Sequence, residues 1–148
     1  MGHTKNKSLE LKETADYASM RRLALRSGLE DGEYSDFVKA YGFYDGDELV
    51  ACAGLRQRGS AFSLECIAVS QELRCRGLGS ELVATVEEEA RRRGAKELWA
   101  LARAPVFFEK IGYDRMTDAV PDGPSLTACR TCRQYLRSCN PSIVMKML

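Results

Sequence analysis

Between Glu65 and Arg93 the alternation of apolar and polar positions changes period once, and the change marks two elements. Ile67, Ala68 and Val69 form a continuous apolar run, which predicts a strand covered on both faces. Leu78, Leu82, Val86 and Ala90 then recur at helical spacing and predict a helix from Gly77 to Arg93, ended by Gly94. Its other side carries Glu87–Arg91, Glu88–Arg92 and Glu89–Arg93 at i,i+4, which predicts a solvated, ion-paired face. Strand and helix are joined by Arg74-Cys75-Arg76-Gly77-Leu78-Gly79-Ser80.

The rest of the chain falls around this unit. Ser8 to Lys12 alternates as an edge strand does. Thr14 is the expected cap of a first helix, with Asp16 in its first turn and Tyr17, Met20 and Ala24 on one face; Ser27-Gly28 stops it. Leu29 to Val38 is acidic, through Glu30, Asp31, Glu33 and Asp36, and is expected to hold a second short helix. Tyr41–Tyr44 and Leu49–Leu55 flank Asp45-Gly46, a hairpin signal. Arg58-Gly59-Ser60 turns into a central strand, Ala61–Val69. Lys96–Leu101 reads as another buried strand with Trp99 in the core. Ala104–Lys110 reads as a short helix, Asp118–Ser125 as a loop and Ser142–Leu148 as a last strand.

Size and charge narrow the picture. At 148 residues, 45% hydrophobic and 29% charged, the chain is expected to form one domain over 1–148 with an ordinary core. Residues 1–7 are polar and expected to fray; 126–148 form a cysteine-containing tail and the last strand. A net charge of +1 argues against a nucleic-acid or membrane surface. There is no membrane-length apolar run and no secretory signal. Six cysteines in that setting read as reduced thiols, which implies a cytoplasmic protein.

The turn carries the candidate chemistry. Gly77 and Gly79 let the backbone fold sharply and expose its N–H groups, and the following helix adds amides without helical partners. Such a loop suits a phosphate or pyrophosphate. It lacks the Lys-Ser/Thr of a nucleotide-triphosphate loop and the third glycine of a dinucleotide fingerprint. A bare strand-to-helix turn is the alternative; Arg74, Arg76 and the well-formed elements on either side favour the anion.

Arg74-x-x-Gly77-x-Gly79 resembles the Q/R-x-x-G-x-G/A signature of the GCN5-related N-acetyltransferases. Ala104-Pro105-Val106-Phe107-Phe108-Glu109-Lys110-Ile111-Gly112-Tyr113 resembles their second recurring stretch, A-x-x-F-Y-E-K-x-G-F. The resemblance implies an α/β (α+β) fold: a twisted mixed sheet, flanked by helices, whose two central parallel strands, around Glu65–Val69 and Lys96–Leu101, splay apart. It implies acetyl-CoA as co-substrate and no required metal. Ile67, Ala68 and Val69 would pair with the pantetheine arm, and Arg74, Cys75, Arg76, Gly77, Leu78, Gly79 and Ser80 would hold the pyrophosphate. Ala102, Ala104, Phe107, Phe108 and Lys110 would line the far side. The Val69 N–H would stabilise the oxyanion. Family members often carry a glutamate at the position of Ser63; Glu65 shares its face at i+2 and is the candidate base, directly or through water, against a structural role at the sheet edge. The usual tyrosine acid is replaced by Phe108, which leaves another group or water to protonate the thiolate; Tyr113 and Tyr135 are the candidates, with a buried core aromatic as the alternative for each.

The acetyltransferase domain of bacterial N-acetylglutamate synthases is the subgroup this chain resembles most, through Ala51-Cys52-Ala53, Cys66-Ile67-Ala68-Val69 and the stretch from Phe107 to Tyr113. The resemblance implies an amino acid or other small amine as acceptor, with Cys66, Tyr135 and Arg137 on its side and Arg137 on its carboxylate. The subgroup's second carboxylate-binding arginine has no counterpart: Glu30, Asp31 and Glu33 occupy that region, and an acidic wall disfavours glutamate and favours a cationic acceptor. Acylation of a protein amine, and a non-catalytic CoA sensor, are the rival readings. Cys129-x-x-Cys132 with Cys139 is compatible with zinc but lacks a fourth ligand, so reduced structural thiols or a redox pair compete with a metal. A homodimer is compatible with the sequence and not required by it.

Overall fold

The computed structural model describes residues 9–28, 37–116 and 142–148. In chain order the elements are β1 (Leu9–Glu13), α1 (Tyr17–Arg26), β2 (Lys39–Asp45), β3 (Glu48–Arg58), β4 (Ala61–Val69), α2 (Leu78–Arg92), β5 (Glu97–Ala102), α3 (Pro105–Lys110), β6 (Asp114–Met116) and β7 (Ser142–Met147). The strands form one sheet in the order β1-β2-β3-β4-β5-β7-β6. β4 and β5 are parallel, and every other neighbouring pair is antiparallel.

Among the described residues both faces of the sheet are packed by helices, because strand side chains alternate between faces. α2 lays Leu78, Leu82, Val83, Val86 and Ala90 on a face that contains Leu55, Phe62, Leu64, Leu98, Ala100 and Val144. α1 buries Met20, Leu23 and Ala24 on the other face, against Phe37, Leu49, Cys52 and Ala68. Trp99 is buried, as expected of a core residue.

Several local expectations shift. The N-cap of α1 is Asp16, whose carboxylate accepts from the Ser19 amide at 3.1 Å; Thr14 instead accepts from the Asp16 amide at 3.0 Å. Hydrogen bonds from Ser19 hold the Asp16 carboxyl below its ordinary range. The two-residue loop of the β2–β3 hairpin is Gly46-Asp47, since Asp45 pairs with Glu48; Gly46 has φ 62°. β5 starts and ends one residue later than Lys96–Leu101, because the Lys96 carbonyl accepts from Leu148 and the Ala95 amide donates back to Ala90.

The outer face of α2 is not uniformly solvated. Glu87 and Glu89 are buried. Glu87 accepts from the Tyr113 hydroxyl at 2.8 Å and lies 3.3 Å from Lys146 Nζ, so its partner is not Arg91. Glu89 pairs with both Arg92 and Arg93 at 2.7 Å. The acidic segment Glu30, Asp31, Glu33 and Asp36 and the loop 118–125 lie outside the described residues.

Candidate functional site

The parallel ladder between β4 and β5 is short. Ser63 pairs with Trp99 and Leu64 with Ala100, and pairing stops there although both strands continue. The cause lies on the other side of β4. Cys52 pairs with Ala68 and Gly54 with Glu65, so Cys66 and Ile67 together oppose Ala53. This is a β-bulge, and Cys66 accommodates it with φ 61°. A bulge bends its strand and increases the local twist. The end of β4 turns away from β5, and a cleft of about 910 Å³ opens between them.

Register decides which backbone groups face that cleft. The Ser70 amide donates to the Val50 carbonyl at 2.8 Å. Antiparallel ladders alternate between bonded and non-bonded pairs. The Val69–Ala51 pair is therefore the non-bonded one, and the Val69 N–H and C=O point away from β3, into the gap. Arg74 Nε reaches back to that carbonyl at 3.2 Å.

The loop below the gap is built from two left-handed residues, Cys75 at φ 64° and Gly77 at φ 83°. A single 3-10 turn, Gln71–Leu73, anchors it through buried Leu73. Gly77 is the N-cap of α2 and supplies no capping side chain, so no side-chain oxygen competes for the first-turn amides. Gly79 admits the far wall: a Cβ there would lie 3.3 Å from the Phe107 ring.

Most of the cofactor-side expectations meet in this one cleft. Ile67, Ala68, Val69, Arg74, Cys75, Gly77, Leu78, Gly79 and Ser80 line it, and Ala102, Ala104, Phe107 and Phe108 form the opposite wall. Arg76 and Lys110 are exposed beside it and are not part of the lining. Tyr113 is a correction. It is 2% exposed, sits behind Phe108 with ring centroids 5.2 Å apart, and donates its hydroxyl to Glu87. Burial, then Glu87, holds that hydroxyl protonated well above its ordinary range. It neither lines the cleft nor has a hydroxyl free to serve it.

Glu65 and Cys66 line the upper end. Glu65 Oε1 accepts from Arg56 Nε at 2.9 Å; Oε2 accepts from Arg58 Nη1 at 3.1 Å and from the Ser63 hydroxyl at 3.0 Å. Ser63 and Glu65 thus share a face, as the strand period requires. Arg103 and Ser27 also line this end, and Arg103 Nη1 donates to the Gly28 carbonyl at 2.7 Å, linking β5 to the end of α1. The reading from the residues alone omitted Arg56, Arg58 and Arg103. The available signals were a basic residue just past the carboxyl end of a parallel strand, and Arg56 and Arg58, which hairpin register sets opposite Ser63 and Ala61 on the face that Glu65 shares.

Tyr135, Arg137 and the cysteines Cys129, Cys132 and Cys139 lie outside the described residues. Among the described residues no group of three or more potential metal ligands comes together, and no helix is long and apolar enough to cross a membrane. Cys52 is buried, and burial, followed by Cys66, pushes its thiol up to about 12.

A strand edge with inward-facing amides, running into an uncapped helix start, suits an elongated ligand with an amide-bearing arm and an anionic end. The family model described as acetyltransferase (GNAT) family matches residues 7–113. An amino-acid acetyltransferase from Pseudomonas fluorescens (strain Pf0-1) is 38% identical over 69 residues, which are 45% of this chain and 16% of that protein. The chain therefore matches only a small part of that relative's length. N-acetylglutamate synthase from Neisseria gonorrhoeae, solved with coenzyme A and N-acetyl-glutamate, superposes with a TM-score of 0.68 at 21% identity, over 95% of this chain and 35% of that one. The ribosomal-protein-S18-alanine N-acetyltransferase from Escherichia coli gives 0.68 at 16% identity, over 94% and 93%. At these identities the solved structures speak for the fold.

Proposed function

Because this chain belongs to the acetyltransferase (GNAT) family, we propose that it uses acetyl-CoA to acetylate the primary amine of a small molecule, an amino acid in the first instance. The observation that carries the reading is the continuity of the Val69 edge with the α2 start. The inward-facing Val69 amide and the exposed first-turn amides lie along one cleft, so a single extended cofactor can meet both.

Acetyl-CoA, when bound, supplies an activated acyl group. The chain's part is to hold, orient and move protons. Ile67 and Val69 offer main-chain groups to the pantetheine arm, and Arg74 to Ser80 offer amides and guanidinium charge to the pyrophosphate. The Val69 N–H, which faces the gap, would stabilise negative charge developing on an acyl oxygen held there. Glu65 takes the proton that the acceptor ammonium must lose before its nitrogen attacks, directly or through a water. Phe108 would have no proton for a leaving thiolate and Tyr113 is turned away, which leaves Tyr135 or water to supply it. Arg137 takes the acceptor's carboxylate on this reading, with Tyr135 on the acceptor's side.

The test is thiol release from acetyl-CoA with the twenty common amino acids, spermidine and an alanine-initiated peptide as acceptors. Turnover of an amino acid supports the proposal, and Glu65→Gln should then lower kcat/KM for it by about 10² or more. Turnover of the peptide alone moves the acceptor to a protein amine. Coenzyme A affinity without turnover of any acceptor leaves a binding module. No affinity for coenzyme A removes the proposal.

A further inference from the structure

Glu65 is held by an arrangement that acetyl transfer does not by itself require. Arg56 lies on β3 with only 5% of its surface exposed, and a charge at that depth needs partners. Its Nε donates to Glu65 Oε1. Its guanidinium carbon lies 4.4 Å from the centre of the Phe37 ring. Phe37 reaches that place because residue 54 is glycine, where a Cβ would stand 2.6 Å from the ring. Gly54 in turn pairs with Glu65 across the hairpin. Gly54, Phe37, Arg56 and Glu65 therefore form one packed series ending at the cleft.

We infer that Arg56 is a positioning residue: its planar guanidinium, lying over the Phe37 ring, fixes the Glu65 carboxylate at the acceptor end of the cleft. The inference rests on the reading that Glu65 serves the acceptor amine. A glutamate side chain left to itself samples several rotamers, and ordering it has an entropic cost. Arg56, Arg58 and Ser63 occupy three of its about four lone-pair sites, which leaves one direction for an ammonium or a bridging water. The three donors are unequal. The Arg58 side chain is 56% exposed and screened by solvent. Ser63 is a neutral donor whose hydroxyl rotates to suit. Of the three, Arg56 combines charge, burial and an aromatic ring beneath its guanidinium. Lysine has the charge without the plane, so it is not an equivalent replacement.

The experiment uses the full chain, acetyl-CoA, and the acceptor turned over fastest among the twenty amino acids and spermidine. Arg56→Met keeps an apolar stem against Phe37 and is expected to lower acceptor kcat/KM by about 10²-fold, the order that a misplacement of roughly 1 Å costs. Coenzyme A affinity, measured by calorimetry, is expected not to change. Arg56→Lys should recover part of the loss. In a Glu65→Gln background Arg56→Met should cost nothing further, because the two side chains act as one unit. If Arg56→Met does not fold, Arg56→Lys and Phe37→Leu carry the same comparison in both backgrounds, each expected to lose activity only when Glu65 is present. Equal losses with and without Glu65, or no loss at all, overturn the inference while acetyl transfer stands. An unmodified protein that turns over none of these acceptors removes both.

Discussion

The Tyr113 hydroxyl donates to Glu87 at 2.8 Å, on the far side of Phe108 from the cleft. Glu87 keeps Lys146 at 3.3 Å as its second partner. Three separate elements, α2, the turn after α3 and β7, meet at this carboxylate. Tyr113→Phe is expected to leave acetyl transfer unchanged and to destabilise the fold by about 1–3 kcal/mol, the cost of removing one partner of a buried charged hydrogen bond. Urea unfolding beside a turnover assay measures both. A variant with intact stability and lost turnover would put the phenol back in the chemistry.

Burial makes Cys52 a pH-dependent stabiliser. Its thiol is pushed from 9.0 up to about 12, by burial first and Cys66 second. The folded chain keeps that proton at pH values where the unfolded chain has lost it. The contribution is therefore complete below about pH 9 and is lost as pH rises towards 12, by about 1.4 kcal/mol per unit. Cys52→Ala lacks this dependence. The stability gap between the two proteins should narrow steadily from pH 9 to pH 11 in urea titrations. A gap that stays constant over that range means the thiol titrates alike in both states.

Gly77 is needed for its backbone, since nothing lies within 4 Å of where its Cβ would stand while φ is 83°. A side chain in the left-handed region costs about 1–2 kcal/mol per residue. Gly77→Ala is expected to weaken coenzyme A binding by about 10-fold, if the loop relaxes out of the shape that presents the α2 amides; 1.4 kcal/mol corresponds to that factor. Calorimetric titration with coenzyme A reads it directly, and unchanged affinity would detach the cradle from this residue.

The bulge at Cys66 can be tested in two directions. At φ 61° a β-branched residue is strained and glycine is not. Cys66→Val is expected to lose at least about 2 kcal/mol through this strain. Cys66→Gly should stay within about 1 kcal/mol of the original, relief of strain offsetting its larger unfolded-state entropy. If valine is tolerated as well as glycine, the left-handed bulge is not what parts β4 from β5.

Local patterns were enough for the core of this fold and for half of its site. The apolar run at Ile67–Val69, the stripe Leu78–Leu82–Val86–Ala90 and the two glycines each depend on neighbours within a few positions, so period and turn chemistry reveal them. The same holds for the family signature around Arg74 and Phe108. Other features depended on contacts distant in sequence. Glu87 was read as one side of an i,i+4 pair, but its partners are 26 and 59 positions away. Tyr113 was a candidate acid until packing placed it behind Phe108. Arg56 carries little local signal: register sets it beside Glu65, and the missing Cβ at Gly54 lets Phe37 lie over it. The reason is physical: helix and turn propensity act over one or two turns of chain, whereas the partner of a buried charge is chosen by which strands pair and in what register, and only the assembled sheet decides that.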